Sequence, residues 1–327
     1  MPLPLKTGDI LRGRYKVNKI IGQGGSGSIY LANDLRLIGR QCALKEVEHD
    51  RTLSEELMKE AREQFLREAT VLARLDHQNL PKVSDFFSIN FRDYLVMDFV
   101  PGEDLRTLML EAKRNNEFLN EIDVLNWMSQ LSDALIYLHE QNPPILHRDI
   151  KPGNLKLTPS GLLKLVDFGL VKVAVPGEIT ITIVQGQGTA LYTPLEQYGG
   201  DSGHTDVRSD IYSMGATMYH LLTNTNPADA RSRFLSPKSL TPPRMINPMI
   251  SIRTEKAILW ALSLHPDERP ENVRQFHQSL VGDRPSITRP INKNKSVADI
   301  LKLLPERILV WALIILLFFS FMLSISN

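Results

Sequence analysis

The sequence is poor in cysteine: among 327 residues there is one, Cys42. A single thiol excludes an intramolecular disulfide and any all-cysteine zinc site. A folded domain without disulfides fits a reducing compartment. An excess of one charge is also missing, since 38 Lys and Arg stand against 37 Asp and Glu. No global field recruits nucleic acid, and no nucleic-acid partner is expected. The N-terminus, MPLPLKTGDILRGRYKV, lacks the apolar stretch of a signal peptide and carries Lys6, Asp9, Arg12 and Arg14. Internal repeats and long low-complexity tracts are absent. What is present is ordinary globular composition, 43% hydrophobic and 23% charged, enough to bury a sizeable core. The length suggests about two domains' worth of chain.

One long uncharged run stands out. From Ile308 to Ile325 the chain reads ILVWALIILLFFSFMLSI, 18 residues without a charge. As a helix it would reach roughly 27 Å, close to the ~30 Å hydrocarbon core of a bilayer. It is apolar on every face, and its two serines, Ser320 and Ser324, can bond back along their own helix. Residues 283–307 before it hold six basic and three acidic side chains, a net of +3 that favours a cytoplasmic location for that flank. The expectation is a single-pass helix over 308–325 in the cytoplasmic membrane, a basic juxtamembrane linker over 284–307, and everything earlier in the cytoplasm. Only Ser326 and Asn327 follow, so no sizeable domain is expected on the far side. A buried helix of a soluble domain is the alternative. Homodimerisation through the run stays open, but no small-xxx-small pattern supports it.

The remaining pattern divides in two. Residues 15–48 read as strands with Gly-rich turns. Residues 53–75 read as one helix, with Ala61, Phe65, Leu66, Ala69, Leu72 and Leu75 near one face. Residues 83–100 alternate enough for two short strands. After Gly102 the pattern turns helical, clearly at 123–141 and 209–223. A strand-rich part followed by a helix-rich part predicts an α+β fold of two lobes.

Three segments carry chemistry. The first is Gly22-Gln-Gly24-Gly-Ser-Gly27-Ser-Ile29. Glycines let backbone N–H groups approach phosphate closely. A dinucleotide loop would open a helix, whereas Ser28-Ile-Tyr-Leu-Ala32 continues as strand, which points to a flap over phosphates. The second is Cys42-Ala43-Leu44-Lys45, an apolar strand ending in a lysine that needs a charge partner if it faces inward; Glu68 is the best-placed candidate. The third is His147-Arg148-Asp149-Ile-Lys151-Pro-Gly-Asn154, followed thirteen residues on by Asp167-Phe168-Gly169. It offers a carboxylate to orient a hydroxyl, a lysine for a phosphoryl group, and amide and carboxylate oxygens of the kind Mg²⁺ prefers. Eight specified positions at fixed spacing arise by chance at roughly 10⁻¹⁰ per window, at ~5% per residue type.

On these residues the chain resembles the protein kinase superfamily over about residues 9–281, and its phrasing is most similar to bacterial, eukaryotic-like Ser/Thr protein kinases. The resemblance implies a bilobal kinase domain over 1–283, with a β-rich N-lobe at about 9–97, a hinge at 98–102 and a helical C-lobe at 103–283. The implied reaction moves the γ-phosphoryl group of ATP, with Mg²⁺ (or Mn²⁺), to Ser or Thr hydroxyls of protein substrates. Gly22, Gly24, Gly27 and Ile29 would cover the phosphates. Lys45, fixed by Glu68, would hold the α- and β-phosphates. Asp149 would orient the acceptor and take its proton, Lys151 would neutralise the γ-phosphate, and Thr189 would join these two. Asn154 and Asp167 would hold the metal. Adenine would lie against Ala43, Met97, Asp98, Val100 and Leu157. Asp210 would brace the catalytic loop, and Arg269 would pair with Glu196.

Arg148 ahead of Asp149 goes, by resemblance, with activation-loop phosphorylation, and Thr180 or Thr182 is the expected autophosphorylation site; a plain strand of alternating threonines is the alternative. One departure is visible: Pro194-Leu195-Glu196 stands where most of the family has Ala-Pro-Glu. Two rival functions are a catalytically weak, pseudokinase-like nucleotide-binding scaffold and a small-molecule phosphotransferase. The intact Lys45, Asp149 and Asp167 argue against the first, and the Gly-Thr…Glu segment at 188–196 against the second.

Overall fold

Alternation with a period of two builds the first lobe. Along strand β4 (Gln41–Glu48), Cys42 and Leu44 enter the cluster on one face of the sheet while Ala43 enters the cluster on the other, as the pleat dictates. The computed structural model describes residues 4–24, 27–48, 54–89, 92–167, 172–173, 190–198 and 205–282. The linker 284–307, the apolar run 308–325, and Thr180, Thr182 and Thr189 lie outside them. Among the described residues no helix is long and apolar enough to cross a membrane. One compact unit runs through Gly282.

Strands β1 (Ile10–Leu11), β2 (Tyr15–Gly24), β3 (Gly27–Asp34), β4, β5 (Val83–Ile89) and β6 (Arg92–Asp98) form an antiparallel sheet in the order β1-β2-β3-β4-β6-β5. Its outer face buries Tyr15, Tyr30, Leu44, Tyr94 and Val96, with the Phe87 ring 5.7 Å from Tyr15 and 5.3 Å from Tyr94. Its inner face places Ala43, Leu95 and Met97 in the same core as Ala69, Leu72 and Leu75 at the end of helix α1 (Glu55–Ala73). Phe65 packs on that core, but Leu66 is exposed. At 100° per residue Leu66 falls off the stripe that Phe65, Ala69 and Leu72 share, which corrects the sequence expectation for that residue.

The second lobe is helical: α2 (Leu105–Arg114), α3 (Glu121–His139), α4 (Val207–Thr223), α5 (Ala230–Leu235), α6 (Pro243–Ile246), α7 (Ile252–Ala261) and α8 (Val273–Val281). Helices α3 and α4 start two residues before their apolar patterns because polar caps set the boundary. Asn120 accepts the Ile122 N–H at 2.8 Å, and Asp206 accepts that of Arg208 at 2.8 Å. Helix α4 is buried along nearly all its length. Two small sheets frame the chemistry. Strands β7 (Glu103–Asp104), β9 (Leu155–Leu157) and β10 (Leu163–Leu165) form one, in the order β10-β9-β7. Strands β8 (Ile145–Leu146) and β11 (Lys172–Val173) form the other. The loop bearing His147 to Asn154 runs from β8 to β9.

Candidate active site

The loop is anchored from below by one carboxylate. Asp210, in the first turn of α4, has no solvent exposure. Its oxygens accept the N–H of Arg148 at 2.8 Å and of His147 at 2.9 Å, and His139 Nε2 lies 2.9 Å away. Burial pushes this carboxyl up, but His139 and His147 outweigh it and hold it below the usual range. Arg148 has a left-handed backbone, φ 64°, uncommon for a residue with a side chain. The bond from its N–H to Asp210 supports that conformation. Burial keeps the His147 imidazole below its ordinary pKa, so it is neutral at pH 7. The bracing by Asp210 that the resemblance implies is thus present in the geometry. Its His139 partner is not marked by any motif; the only sequence cue is its place eight residues ahead of His147.

Asp149 sits in a fixed frame. Lys151 Nζ donates to its two carboxylate oxygens at 2.9 and 2.8 Å. Asn154 Nδ2 donates to the Asp149 carbonyl and to Oδ2, both at 2.8 Å. The amide nitrogen of Asn154 is therefore used, and its oxygen is the atom left to act as a ligand. The Val166 N–H bonds the Asn154 carbonyl at 2.8 Å, which brings the start of the Asp167 segment to the same place. Burial pushes the Asp167 carboxyl up, while Lys45 and Lys151 more than offset it, so Asp167 is ionised at neutral pH. One amide oxygen and one carboxylate are hard donors. Their small number suits Mg²⁺, which keeps waters and takes phosphate oxygens for the rest of its shell.

Lys45 corrects an expectation. The resemblance implies a Lys45–Glu68 ion pair, and the structure pairs the Lys45 ammonium with Asp167 instead. The Lys45 side chain is only 5% exposed, and a buried ammonium needs a carboxylate partner, which Asp167 supplies. Glu68 on α1 is half-buried, accepts from Gln64 Nε2 at 3.0 Å one turn earlier, and lies near the Arg148 cation.

The strand ladders and the core place the remaining predicted residues. In the β3–β4 ladder Ile29 stands opposite Lys45. Gly22 stands opposite Ile29, and Gly24 opposite Gly27, where β2 meets β3. Gly27 has φ 130°, and a Cβ there would lie 2.0 Å from the Glu46 carbonyl oxygen, so only glycine fits. Ala43 pairs with Met97 across β4 and β6, and Ile29 and Leu157 pack on the core they belong to. Val100 is buried. The Asp98 side chain is engaged by Arg40 at 3.1 Å and by the Lys82 N–H at 3.3 Å rather than left for a ligand. Gly102, φ 99°, passes so close to Leu157 that a Cβ would lie 2.1 Å from its carbonyl oxygen, which holds the segment after β6 down on β9. Thr189 lies outside the described residues.

The segment 190–198 is fastened to the helical lobe. Arg269 donates to both carboxylate oxygens of Glu196, at 2.6 and 3.0 Å, and the Ser209 hydroxyl adds a bond at 2.8 Å. The early proline at 194 leaves this fork intact. Tyr192 adds an anchor that no motif announces: its hydroxyl is 2.6 Å from His220 Nδ1, and Ser213 donates to its carbonyl at 2.8 Å.

The family model for the protein kinase domain matches residues 15–286. A probable serine/threonine-protein kinase of Clostridium acetobutylicum is 32% identical over 282 residues, covering 84% of this chain and 40% of that protein. The serine/threonine-protein kinase PrkC of Bacillus subtilis is 30% identical over 279 residues, covering 84% of this chain and 41% of that protein. The chain spans about two-fifths of the length of these curated relatives. The crystal structure of the Mycobacterium tuberculosis PknI kinase domain is similar at a TM-score of 0.63 and 28% identity, over 84% of this chain and 98% of that one. The apo form of PpkA-294, at 23% identity and a TM-score of 0.65, covers 84% of this chain and 99% of that one and shares the fold. The chain belongs to the protein kinase family.

Proposed function

We propose that the chain is a membrane-tethered serine/threonine protein kinase that transfers the γ-phosphoryl group of ATP to protein hydroxyls and phosphorylates itself at Thr180 or Thr182. The observation that carries this reading is the frame around Asp149. A carboxylate held by Lys151 and Asn154, on a loop pinned to a buried Asp210, is pre-positioned to accept a proton. The lysine two residues after Asp149 and the names of the relatives support hydroxyls of Ser or Thr as acceptors. The 18-residue uncharged run after a basic flank supports the tether and a cytoplasmic position for the kinase domain.

In this reading Asp149 orients the acceptor hydroxyl and receives its proton as the new O–P bond forms and the bond from the γ-phosphorus to the β,γ-bridging oxygen breaks, with ADP as the leaving group. Lys151, already bound to Asp149, is placed to counter charge on the transferring group. Asn154 and Asp167 would hold Mg²⁺, which when bound neutralises charge on the β- and γ-phosphate oxygens. Lys45 would exchange Asp167 for the nucleotide phosphates. The strand pair β2–β3, with Ile29 opposite Lys45, would cover the nucleotide phosphates.

The test is incubation of the full chain with radiolabelled ATP and Mg²⁺ in the presence of a generic protein acceptor, wild type beside Asp149→Asn. Label should appear on threonine or serine and fall by about 10²–10⁴-fold in the variant. Equal labelling of the two proteins would refute the assignment.

A further inference from the structure

Large apolar side chains are exposed around one junction of the helical lobe. The N-termini of α3 and α7 meet where the Glu121 carboxylate accepts the Ser251 N–H at 3.1 Å and its hydroxyl at 2.7 Å. Within a few residues of that bond, Phe118 is 42% exposed, Ile122 67%, Met249 85% and Ile252 57%. A lone exposed hydrophobe is ordinary, whereas several around one junction form a patch.

A groove of about 550 Å³ opens beside it, lined by Ile252, Arg253, Lys256, Ala257, Trp260 and Ser279. Ile252, Lys256 and Trp260 are spaced by four and share a face of α7. The order is apolar, cationic, then an aromatic with one polar edge, the types that suit the boundary between headgroups and acyl chains. The neighbouring carboxylates are engaged within the protein, Glu121 by Ser251 and Glu255 by the Arg244 N–H at 2.9 Å. Lys256 has no partner among the described residues. Arg253 donates to the Val281 carbonyl at 3.3 Å, and a Cβ on Gly282 would lie 2.6 Å from its Nη1. The compact unit therefore ends at the rim of this groove. In sequence it is followed by residues 283–307, net +3, and the uncharged run 308–325.

We propose that this face of the helical lobe, with Ile122, Met249, Ile252, Lys256 and Trp260 at its centre, rests on an anionic lipid surface. The inference goes beyond phosphoryl transfer and rests on reading 308–325 as a membrane span. Tethering makes the docking intramolecular, so a patch too weak to hold lipid by itself suffices. The apolar side chains enter the headgroup boundary, and Lys256 and Arg253 meet lipid phosphates.

The full chain, reconstituted in nanodiscs, tests it. Cys42 is fully buried, so Ile252→Cys introduces the thiol that an environment-sensitive fluorophore labels; Ile38→Cys, at a site 99% exposed on the turn between β3 and β4, is the control. In discs containing phosphatidylglycerol the Ile252 probe should shift to the blue and be quenched by bilayer nitroxides at least twofold more than in phosphatidylcholine alone. Lys256→Glu should abolish that difference, and the Ile38 probe should show none. Like signals from the two probes would overturn the proposal, as would a shift independent of lipid charge. A shift that needs no lipid and grows with protein concentration would assign the face to a second copy and overturn it too. If the chain fails to enter discs, the span reading fails. The proposal, which rests on the tether, then falls with it. Loss of phosphoryl transfer in the radiolabel experiment would strike the kinase reading alone.

Discussion

The two sides of the cleft are held by different means. On the helical side Asp210 is fully buried, receives two backbone N–H groups and faces His139, and the loop above it carries Asp149 in a frame of further bonds. On the strand side a single lysine reaches across to Asp167, whose side chain is 27% exposed and whose backbone has φ 68°. The first arrangement is over-determined, and the second, among the described residues, rests on the Lys45–Asp167 ion pair. In the proposed mechanism the difference separates what must stay fixed, the proton acceptor, from what must exchange partners when a nucleotide arrives. It is sharpest at Asp210. Asp210→Ala leaves two buried N–H groups and His139 without their acceptor and removes the support of the left-handed Arg148. The expected loss is about 3–5 kcal/mol in urea unfolding. A loss below about 1 kcal/mol would break the comparison at its stronger end.

A second test addresses how the same side holds segment 190–198. Burial, with Lys113 and Arg106 nearby, pushes the His220 imidazole down to about 4, so the neutral ring can accept the Tyr192 hydroxyl. A folded value below the unfolded ~6.5 means the unfolded chain takes the proton first. This contribution is present above about pH 6.5 and is lost as pH falls towards 4. Between pH 7 and pH 5 it amounts to about 2 kcal/mol. The stability advantage of wild type over His220→Gln should shrink by about that much across the interval, measured by urea denaturation at both pH values. Parallel behaviour would show that Tyr192 is held by Ser213 and packing instead.

Much of this was legible in the residues. The period-2 strand Cys42 to Lys45 and the helical stripe through Ala69 and Leu72 report burial directly, because one face of each must meet the core. The loop from His147 to Asn154 is equally readable, since its chemistry needs those side chains at fixed spacing. The pairs that escaped reading are long-range. His139 with Asp210 and Tyr192 with His220 join elements far apart in sequence, and nothing local to a helix end or a loop states which distant side chain fills the space beside it. Pair choice escaped as well. Lys45 has two acidic candidates, and selection between them depends on depth and reach, which are properties of the folded chain.

That choice yields the smallest effect and the most direct comparison. Double-mutant cycles on stability, in protein without nucleotide, compare Lys45→Met combined with Asp167→Asn against Lys45→Met combined with Glu68→Gln. The first pair is in contact at a lysine side chain 5% exposed, so its coupling should be about 1–3 kcal/mol. The second joins Lys45 to a half-buried carboxylate that is engaged elsewhere, and its coupling should stay within about 0.5 kcal/mol. The variants remove charge while nearly preserving shape, so a changed cavity contributes little to either cycle. Repeating the cycles with a nonhydrolysable nucleotide and Mg²⁺ tests the exchange itself: coupling to Asp167 should fall as the ammonium moves to phosphate and coupling to Glu68 should rise. Larger coupling to Glu68 in the free protein would reverse the order and place the strand side of the cleft on the same fixed footing as Asp210.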